Sequence, residues 1–379
     1  TFFKVILAIE KEKAAHGTLR LRRFFRQFPL GEAPEEYYDF LRGKLLSEEE
    51  LYSKFPHQAE KSLQEVRLFE LGNGRKEDSK LDRWIEEALL GQSKWVLIGG
   101  PPCQAYSVMG RSRTAGKIGY KPENDIRNYL YLEYLRIIAK HKPAVFVMEN
   151  VQGLLSSKVH GQRVFDNVIS DLQHPSLECS YSIHSLSVKR SISLHLGCPL
   201  DPLDYIIESE RYGIPQARHR VVLLGIREDL SHIEPEMLSP AETVSFYDVL
   251  NDLPKLRSGL SRESDSTETW CRQIRDGLGS RWLKGVRSRW GSELADRLVQ
   301  TMRDIHGFKD DRGGRFIPQA LTSTNKLDWW YRDSRLGGVC NHETRRHMSN
   351  DIWRYLFAAC FTKVQKFPPK LRDLDKFDI

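Results

Sequence analysis

The sequence has few cysteines, and they lie apart from one another. Its 379 residues include six cysteines and no Cys-x-x-Cys pair, which argues against a disulfide scaffold and against a four-cysteine zinc site. No window reaches the ~20 apolar residues of a membrane span. Neither a secretory signal nor an internal repeat is found. These absences predict a soluble protein of a reducing compartment, with no membrane partner.

The composition that remains is ordinary for a folded chain. Apolar residues make up 40% and charged residues 29% of the sequence, which allows a sizeable core and excludes disorder of the whole chain. Lysine and arginine outnumber aspartate and glutamate by 58 to 51, a net charge of +7. That excess permits a polyanionic partner but does not demand one. At ~150 residues per domain, the length suggests two domains.

Apolar runs alternate with helical patterns over the first 226 residues. Buried strands are predicted at 2–9, 95–98, 144–148 and 220–226. Apolar residues at helical spacing predict helices at 129–141 and 163–172. This alternation predicts the α/β fold class, with a doubly wound sheet.

The character of the chain changes beyond residue 226. Apolar runs become shorter, tryptophan and arginine become frequent, and residues 272–315 hold 11 lysines and arginines against 6 aspartates and glutamates. We therefore predict one domain over 1–226 and a second, smaller domain over 227–379. The tryptophans and arginines of the second domain either contact a ligand or pack its core, and the sequence leaves both interpretations open.

The first candidate site follows the predicted strand at 95–98. The segment 99–107 reads Gly-Gly-Pro-Pro-Cys-Gln-Ala-Tyr-Ser, and ligands of open α/β sheets bind outside the carboxyl ends of the strands. Two prolines fix the backbone just before Cys103, as a cysteine nucleophile requires. The alternative is a turn that happens to contain a cysteine.

Two further motifs lie at the ends of other predicted strands. Glu149 ends the run at 144–148, where a carboxyl group can act as acid or hydrogen-bond donor if burial raises its pKa. Arg218 and Arg220 precede the strand at 221–226 and share one face of an extended segment. Two guanidinium groups on one face suit a phosphate or a base edge. The alternative for Glu149 is a polar turn at the strand end. The alternative for Arg218 and Arg220 is a pair of solvated charges.

The three motifs in this order resemble the DNA (cytosine-5)-methyltransferase family. The family's Pro-Cys-Gln, Glu-Asn-Val and Gln-x-Arg-x-Arg blocks match 102–104, 149–151 and 216–220, and weaker matches lie at 8–10 and 125–130. The resemblance covers residues 1–226. It implies a Rossmann-like, S-adenosylmethionine-dependent methyltransferase domain, followed by a target recognition region.

The resemblance implies a catalytic role for four residues. Cys103 would attack C6 of a cytosine flipped out of the duplex, which makes C5 nucleophilic enough to accept a methyl group. Glu149 would hydrogen-bond N3 and the exocyclic amine of the base. Arg220 would contact O2 of the base, and Arg218 would help to position the site.

Other residues are implied to bind the cofactor or DNA. S-adenosylmethionine would be bound by Glu10 at its ribose hydroxyls, with Pro102 and Leu130 lining its pocket. The implied DNA contacts come from the loop after the nucleophile and are Gln104, Ser107, Arg111 and Arg113. The expected partner is double-stranded DNA, and no metal is expected. The protein would act as a monomer in the bacterial cytoplasm. A cognate restriction endonuclease would complete a restriction–modification system.

The sequence also departs from the family and leaves alternatives open. No Phe-x-Gly-x-Gly loop precedes Glu10, and the closing family blocks are absent, so we expect the middle blocks of a methyltransferase. A DNA-binding relic without catalysis and a tRNA cytosine-5 methyltransferase of the same fold are the alternatives. An amino-methyltransferase is disfavoured because Cys103 stands where those enzymes carry an aromatic residue. Cys340, His342 and His347 match no common zinc spacing.

Overall fold

A computed structural model gives the architecture of the chain. It describes residues 3–72, 74–101, 130–159, 162–188, 191–192, 201–306, 312–319 and 327–373. Within these ranges, no helix combines the length and the apolar character needed to cross a membrane.

Helices occur along the whole described chain. Up to residue 173 they are α1 (Lys13–Phe25), α2 (Glu35–Leu41), α3 (Glu48–Lys54), α4 (Pro56–Glu65), α5 (Arg75–Leu89), α6 (Leu130–His141), α7 (Gly153–Ser156) and α8 (Val164–Gln173). Beyond it they are α9 (Phe246–Leu250), α10 (Thr267–Asp276), α11 (Arg281–Trp290), α12 (Ser292–Asp304), α13 (Asp328–Tyr331) and α14 (Ser349–Gln365).

Most strands are short, and the longest two lie next to each other. Up to residue 192 they are β1 (Ala8–Glu10), β2 (Val66–Leu68), β3 (Val96–Gly99), β4 (Val145–Val151), β5 (Lys158–Val159), β6 (Gln162–Arg163), β7 (Tyr181–His184) and β8 (Ser191–Ile192). The later strands are β9 (Ile206–Glu208), β10 (His219–Arg227), β11 (Gly259–Leu260), β12 (Gly313–Pro318), β13 (Gly338–Glu343) and β14 (Arg346–His347).

The main sheet of the described chain is mixed. Its strands follow the order β3-β4-β10-β7-β8, and β9 pairs with β10. β3 and β4 run parallel, whereas β10 runs antiparallel to both β4 and β7. The predicted α/β class is confirmed. The sheet is not wholly parallel because β10 enters between β4 and β7 in the reverse direction.

One face of this sheet carries the core of the α/β region. Phe146 and Met148 of β4 and Leu223 of β10 project from that face and are buried. Helices α6 and α8 cover the face with apolar side chains that include Ile138 and Leu172. The alternation of buried and half-buried residues along β4 follows from this one-sided cover.

β1 and β2 form a separate parallel pair beside the main sheet. Their register places Glu10 opposite Leu68. Ile9 of β1 and Phe69, the residue after β2, share a hydrophobic cluster with Leu97 of β3, and helices α5 and α6 complete it. Among the described residues, no backbone pairing joins β1 or β2 to β3.

The first predicted strand is longer than the observed one. The prediction covered 2–9, but β1 spans Ala8–Glu10 and no regular strand occurs over 3–7. Phe3 and Val5 are 74% and 51% exposed. An apolar run becomes a strand only where a neighbouring strand pairs with it, and β2 pairs with the end of this run alone.

The chain divides into two compact units with interleaved boundaries. The first contains Thr1–Ala33 and Tyr52–Val249, and the second contains Pro34–Leu51 and Leu250–Ile379. The segment 34–51 belongs to the second unit through specific contacts. The Tyr38 hydroxyl donates to Asp333 at 2.8 Å, and the Arg315 guanidinium donates to the Phe40 carbonyl oxygen at 2.9 Å.

The second unit has its own helical core. Helices α10, α11, α12 and α14 bury a cluster that includes Trp282, Leu298 and Phe361. Four of the tryptophans beyond residue 226 lie in or against this core, namely Trp270, Trp282, Trp290 and Trp353. Trp329 and Trp330 instead are 76% and 64% exposed. Packing therefore accounts for most, but not all, of the tryptophans in this unit.

Candidate active site

The ends of β3 and β4 lie side by side. The two strands are parallel, with Gly99 opposite Met148, so the residues that follow β3 run past Glu149. A Cβ at Gly99 would lie 2.5 Å from the Tyr134 ring, and a Cβ at Gly100 would lie 3.1 Å from Glu149 Oε2. The Gly-Gly pair therefore allows the chain that leads to Cys103 to approach the carboxylate closely.

Asn150 fastens that chain to the end of β4. Its Nδ2 donates to the Pro101 carbonyl oxygen at 3.3 Å, and its Oδ1 accepts a bond from the Val151 backbone N–H at 2.9 Å. The side chain is buried, at 6% exposure. Sequence reasoning noted the Glu-Asn-Val motif but gave Asn150 no role. The sequence feature that could have identified Asn150 is its position, an amide side chain directly after the carboxylate at the predicted strand end.

Tyr134 supports the same strand ends from α6. Its hydroxyl donates to the Val147 carbonyl oxygen at 3.0 Å, and burial raises the pKa of the phenol far above its ordinary value. Tyr134 is therefore a neutral hydrogen-bond donor at any ordinary pH. Its hydrogen bond joins α6 to β4 just before Glu149. This bond holds the end of β4 in place.

Glu149 and Arg220 meet across the antiparallel pair β4–β10. The register sets Glu149 opposite Val222 and Arg220 opposite Val151, so the two side chains are diagonal neighbours on one face. Arg220 Nε lies 2.9 Å from Glu149 Oε1, with side-chain exposures of 25% and 43%. An ion pair this exposed contributes about 1 kcal/mol or less. Stability alone does not explain its position at the strand ends.

The second arginine of the motif lies differently. Arg218 is exposed and precedes β10, and its backbone carbonyl oxygen accepts a bond from the Ser209 hydroxyl at 2.6 Å. Next to it, His219 Nε2 lies 2.6 Å from Glu210 Oε1, and this contact lowers the pKa of the Glu210 carboxyl. The structure thus brings Arg220 to Glu149, while Arg218 is fixed through its backbone.

Two of the predicted cofactor residues lie within the described chain. Glu10 ends β1 and is half-buried, and its Oε1 accepts a bond from the Glu12 backbone N–H at 2.8 Å. Leu130 is the first residue of α6 and is also half-buried. The other predicted site residues lie outside the described residues, and these are Pro102, Cys103, Gln104, Ser107, Arg111 and Arg113.

The three residues considered for zinc have other contacts. Cys340 Sγ lies 3.8 Å from the Leu41 carbonyl oxygen, and His342 Nε2 lies 2.7 Å from the Pro254 carbonyl oxygen. His347 packs edge-on against Tyr355. Over the described ranges, no group of three or more His, Cys, Asp or Glu side chains is arranged to hold a metal ion.

Charged side chains thus lie at the strand ends of an α/β sheet, which is where sheets of this kind bind their ligands. A family model described as C-5 cytosine-specific DNA methylase matches residues 75–277. The chain belongs to that family, so the family resemblance of its motifs is confirmed.

Individual relatives are distant and longer. Type II methyltransferase M.Bpa9945I of Bacillus paralicheniformis is 29% identical over 273 residues, covering 67% of this chain and 57% of the relative. DNA (cytosine-5)-methyltransferase 1 of Gallus gallus is 26% identical over 273 residues, covering 65% and 17%. A DNMT2 structure from Spodoptera frugiperda aligns with a TM-score of 0.33 and 13% identity, covering 73% of this chain and 58% of that one. The chain thus spans less than two thirds of each.

Proposed function

We propose that this chain is the catalytic part of a DNA (cytosine-5)-methyltransferase, which transfers the methyl group of S-adenosylmethionine to C5 of cytosine in double-stranded DNA. The observation that carries the proposal is the Glu149–Arg220 pair, held 2.9 Å apart beside Gly100, three positions before Cys103 in the sequence. The family membership and the type II relatives favour a bacterial modification or restriction–modification system in the cytoplasm.

The proposed reaction assigns a step to each of these side chains. The Cys103 thiolate forms a bond to C6 of the flipped cytosine, and electron density moves to C5, N3 and O2. When the base enters, Glu149 leaves its ion pair with Arg220, takes up a proton from solvent and donates it to N3, while Arg220 stabilises the charge on O2. C5 takes the methyl group, a base removes the C5 proton, and the Cys103–C6 bond breaks. Before the base enters, the ion pair holds Glu149 and Arg220 next to each other, where N3 and O2 would bind.

The residues at the end of β1 fit the proposed cofactor. The Glu12 backbone N–H holds the Glu10 carboxylate in place with a single bond, and a carboxylate can accept further bonds from ribose hydroxyls. Leu130 at the start of α6, together with Pro102, would line the pocket. S-adenosylmethionine would supply an electrophilic methyl group there.

DNA contacts and domain roles complete the proposal. Gln104 and Ser107 would contact DNA from the loop after the nucleophile, and Arg111 and Arg113 would contact its phosphates. Residues 1–226 would perform catalysis and 227–379 would recognise the target. The chain would act as a monomer, and a cognate restriction endonuclease would be the second enzyme of the restriction–modification system.

Covalent trapping tests the proposal directly. The protein is incubated with S-adenosylmethionine and duplex DNA that carries 5-fluorocytosine, whose C5 fluorine blocks the elimination. We expect a covalent adduct at Cys103 by denaturing gel and peptide mass, lost in Cys103→Ala and kept in Cys340→Ala. An adduct formed equally by Cys103→Ala contradicts the proposed nucleophile. An adduct with 5-fluorocytidine tRNA instead of DNA would favour the tRNA enzyme.

A further inference from the structure

Helix α11 is the most basic helix of the second unit. Its ten residues include Arg281, Lys284, Arg287 and Arg289 and no acidic residue. The neighbouring α10 has two arginines balanced by two acidic residues, and α12 has two arginines against three acidic residues. The excess of positive charge beyond residue 226 is therefore concentrated on one helix.

The packing of α11 turns these cations towards solvent. Trp282, Leu283 and Val286 are buried in the helical core of the unit. The four basic residues lie on the remaining surface and are all exposed. Because the apolar face is fixed by packing, the orientation of the basic face is fixed as well.

Two of the four cations already have acidic neighbours. Arg287 pairs with Asp296, and Arg289 lies 3.9 Å from Asp373. Arg281 and Lys284 are neighbours at i and i+3, and they form no ion pair with any described residue. Two adjacent, uncompensated charges of one sign favour an anionic partner.

A groove beside the basic face offers further donors. A cavity of about 360 Å³ lies between α11 and α12. Polar side chains in its lining are Lys284 and Ser288, together with Ser280, whose hydroxyl donates to the Gly277 carbonyl oxygen, and Arg287, which pairs with Asp296. Hydroxyl, ammonium and guanidinium groups are the side-chain donors that proteins use on phosphate oxygens.

From these observations we infer that α11 binds the phosphate backbone of double-stranded DNA, through Arg281 and Lys284 at its exposed face. The inference rests on the proposed function for the identity of the polyanion. Contacts to phosphates are independent of sequence, so α11 strengthens binding to any duplex and does not read the target. Each phosphate contact releases counterions, which makes the affinity fall with salt.

The salt dependence of binding tests the inference. Affinity of the full chain for a labelled duplex is measured by fluorescence anisotropy between about 50 and 200 mM salt. For Arg281→Ala/Lys284→Ala, we expect the slope of log K against log salt to become shallower by about 1.8, since each lost phosphate contact removes about 0.9. The loss of affinity should be similar for duplexes of unrelated sequence.

A matched variant controls for the loss of charge. Arg345→Ala/Arg346→Ala removes two exposed arginines of the same unit that lie outside α11, and it should leave the slope unchanged. All four side chains are exposed, so the unfolding midpoint of both variants should match that of the parent chain. A parent-like slope in the α11 variant, or an equal change in the control, overturns the inference. So does a loss confined to one duplex sequence.

Two outcomes separate the inference from the proposed function. A Cys103 adduct together with an unchanged slope in the α11 variant refutes the backbone contact and keeps the methyltransferase. No adduct together with a shallower slope keeps the backbone contact and refutes the methyltransferase. Polyglutamate that displaces the duplex from the parent chain, but not from the α11 variant, would assign the helix to an acidic protein partner and overturn the inference.

Discussion

Two carboxylates of the first unit illustrate opposite uses of charge. Asp82 of α5 is buried, with its side chain 7% exposed, and three basic side chains of α6 surround it at 2.7–2.9 Å, namely Arg136, Lys140 and His141. Among the residues that the structure describes, Glu149, 43% exposed, has one cationic contact, Arg220. The first carboxylate is saturated by its neighbours, whereas the second keeps room for further hydrogen bonds.

The difference shows which charge serves the fold. Burial alone would raise the pKa of Asp82, but hydrogen bonds from Lys140, His141 and Arg136 outweigh it and lower the pKa to about 2. Those bonds fasten α5 to α6, the helices that pack against β3. The ion pair of Glu149 instead joins two strands, β4 and β10, and because it is exposed it contributes about 1 kcal/mol or less. Asp82 is therefore expected to control stability, and Glu149 to control activity.

The largest expected effect is that of Glu149→Gln on turnover. Glutamine keeps the shape but cannot supply the proton proposed for N3, so kcat should fall by about 100- to 1,000-fold. Its free energy of unfolding should change by less than about 1 kcal/mol. Single-turnover methyl transfer and urea unfolding measure the two quantities. Loss of stability in proportion to the loss of turnover would show that Glu149 is structural.

Asp82→Asn should do the reverse of Glu149→Gln, because it should lower stability and leave turnover unchanged. It leaves three basic side chains around a neutral amide, and removing one partner of a buried ion cluster costs about 3 kcal/mol. Methyl transfer per folded molecule should stay unchanged. Asp296→Asn serves as the control, because Asp296 pairs with Arg287 at an exposed site, 62% and 52% exposed. If both variants lose the same stability, burial of the Asp82 cluster does not matter.

The stability that Asp82 provides should depend on pH in the acid range. Its pKa is lowered from 3.8 to about 2 in the folded chain, so the unfolded chain binds the proton more tightly. The contribution is complete above the unfolded value and is lost as the pH falls through the folded value, a change of about 2 kcal/mol. Urea unfolding from about pH 5 to pH 2 should show the gap between parent and Asp82→Asn narrowing by that amount. A constant gap would contradict the assignment.

The strands that end at the candidate site were predictable from local sequence. β3 and β4 are runs of branched apolar residues that lead into Gly-Gly-Pro-Pro and Glu-Asn, and β10 is such a run that begins at the Gln-x-Arg-x-Arg motif. Such runs form buried strands with few alternatives. β2 was missed because its three residues include Arg67 and become a strand only through pairing with β1.

The arrangement of the site and of the units depends on distant contacts. Sequence reasoning selected Glu149 and Arg220, but only the antiparallel register of β4 and β10 makes them diagonal neighbours. The segment 34–51 joins the second unit through partners such as Asp333 for Tyr38, 295 positions away. No local pattern encodes a contact at that separation. Asn150 was missed for a related reason, since its partner is a backbone carbonyl that any residue carries.

Asn150 gives the smallest and sharpest test of the comparison, because it is buried like Asp82 but lies next to Glu149. Asn150→Ala removes the bond to the Pro101 carbonyl oxygen, which loosens the chain leading to Cys103, so kcat should fall about tenfold, or about 1.4 kcal/mol, with KM little changed. Ser157→Ala removes another buried hydrogen bond, to the Gly153 carbonyl oxygen at 2.6 Å, without touching that chain. Both variants should lose about 1 kcal/mol of stability, and only Asn150→Ala should lose turnover. Equal turnover in the two variants would mean that Asn150 has only a structural role. The positioning of Cys103 would then depend on the prolines and not on β4.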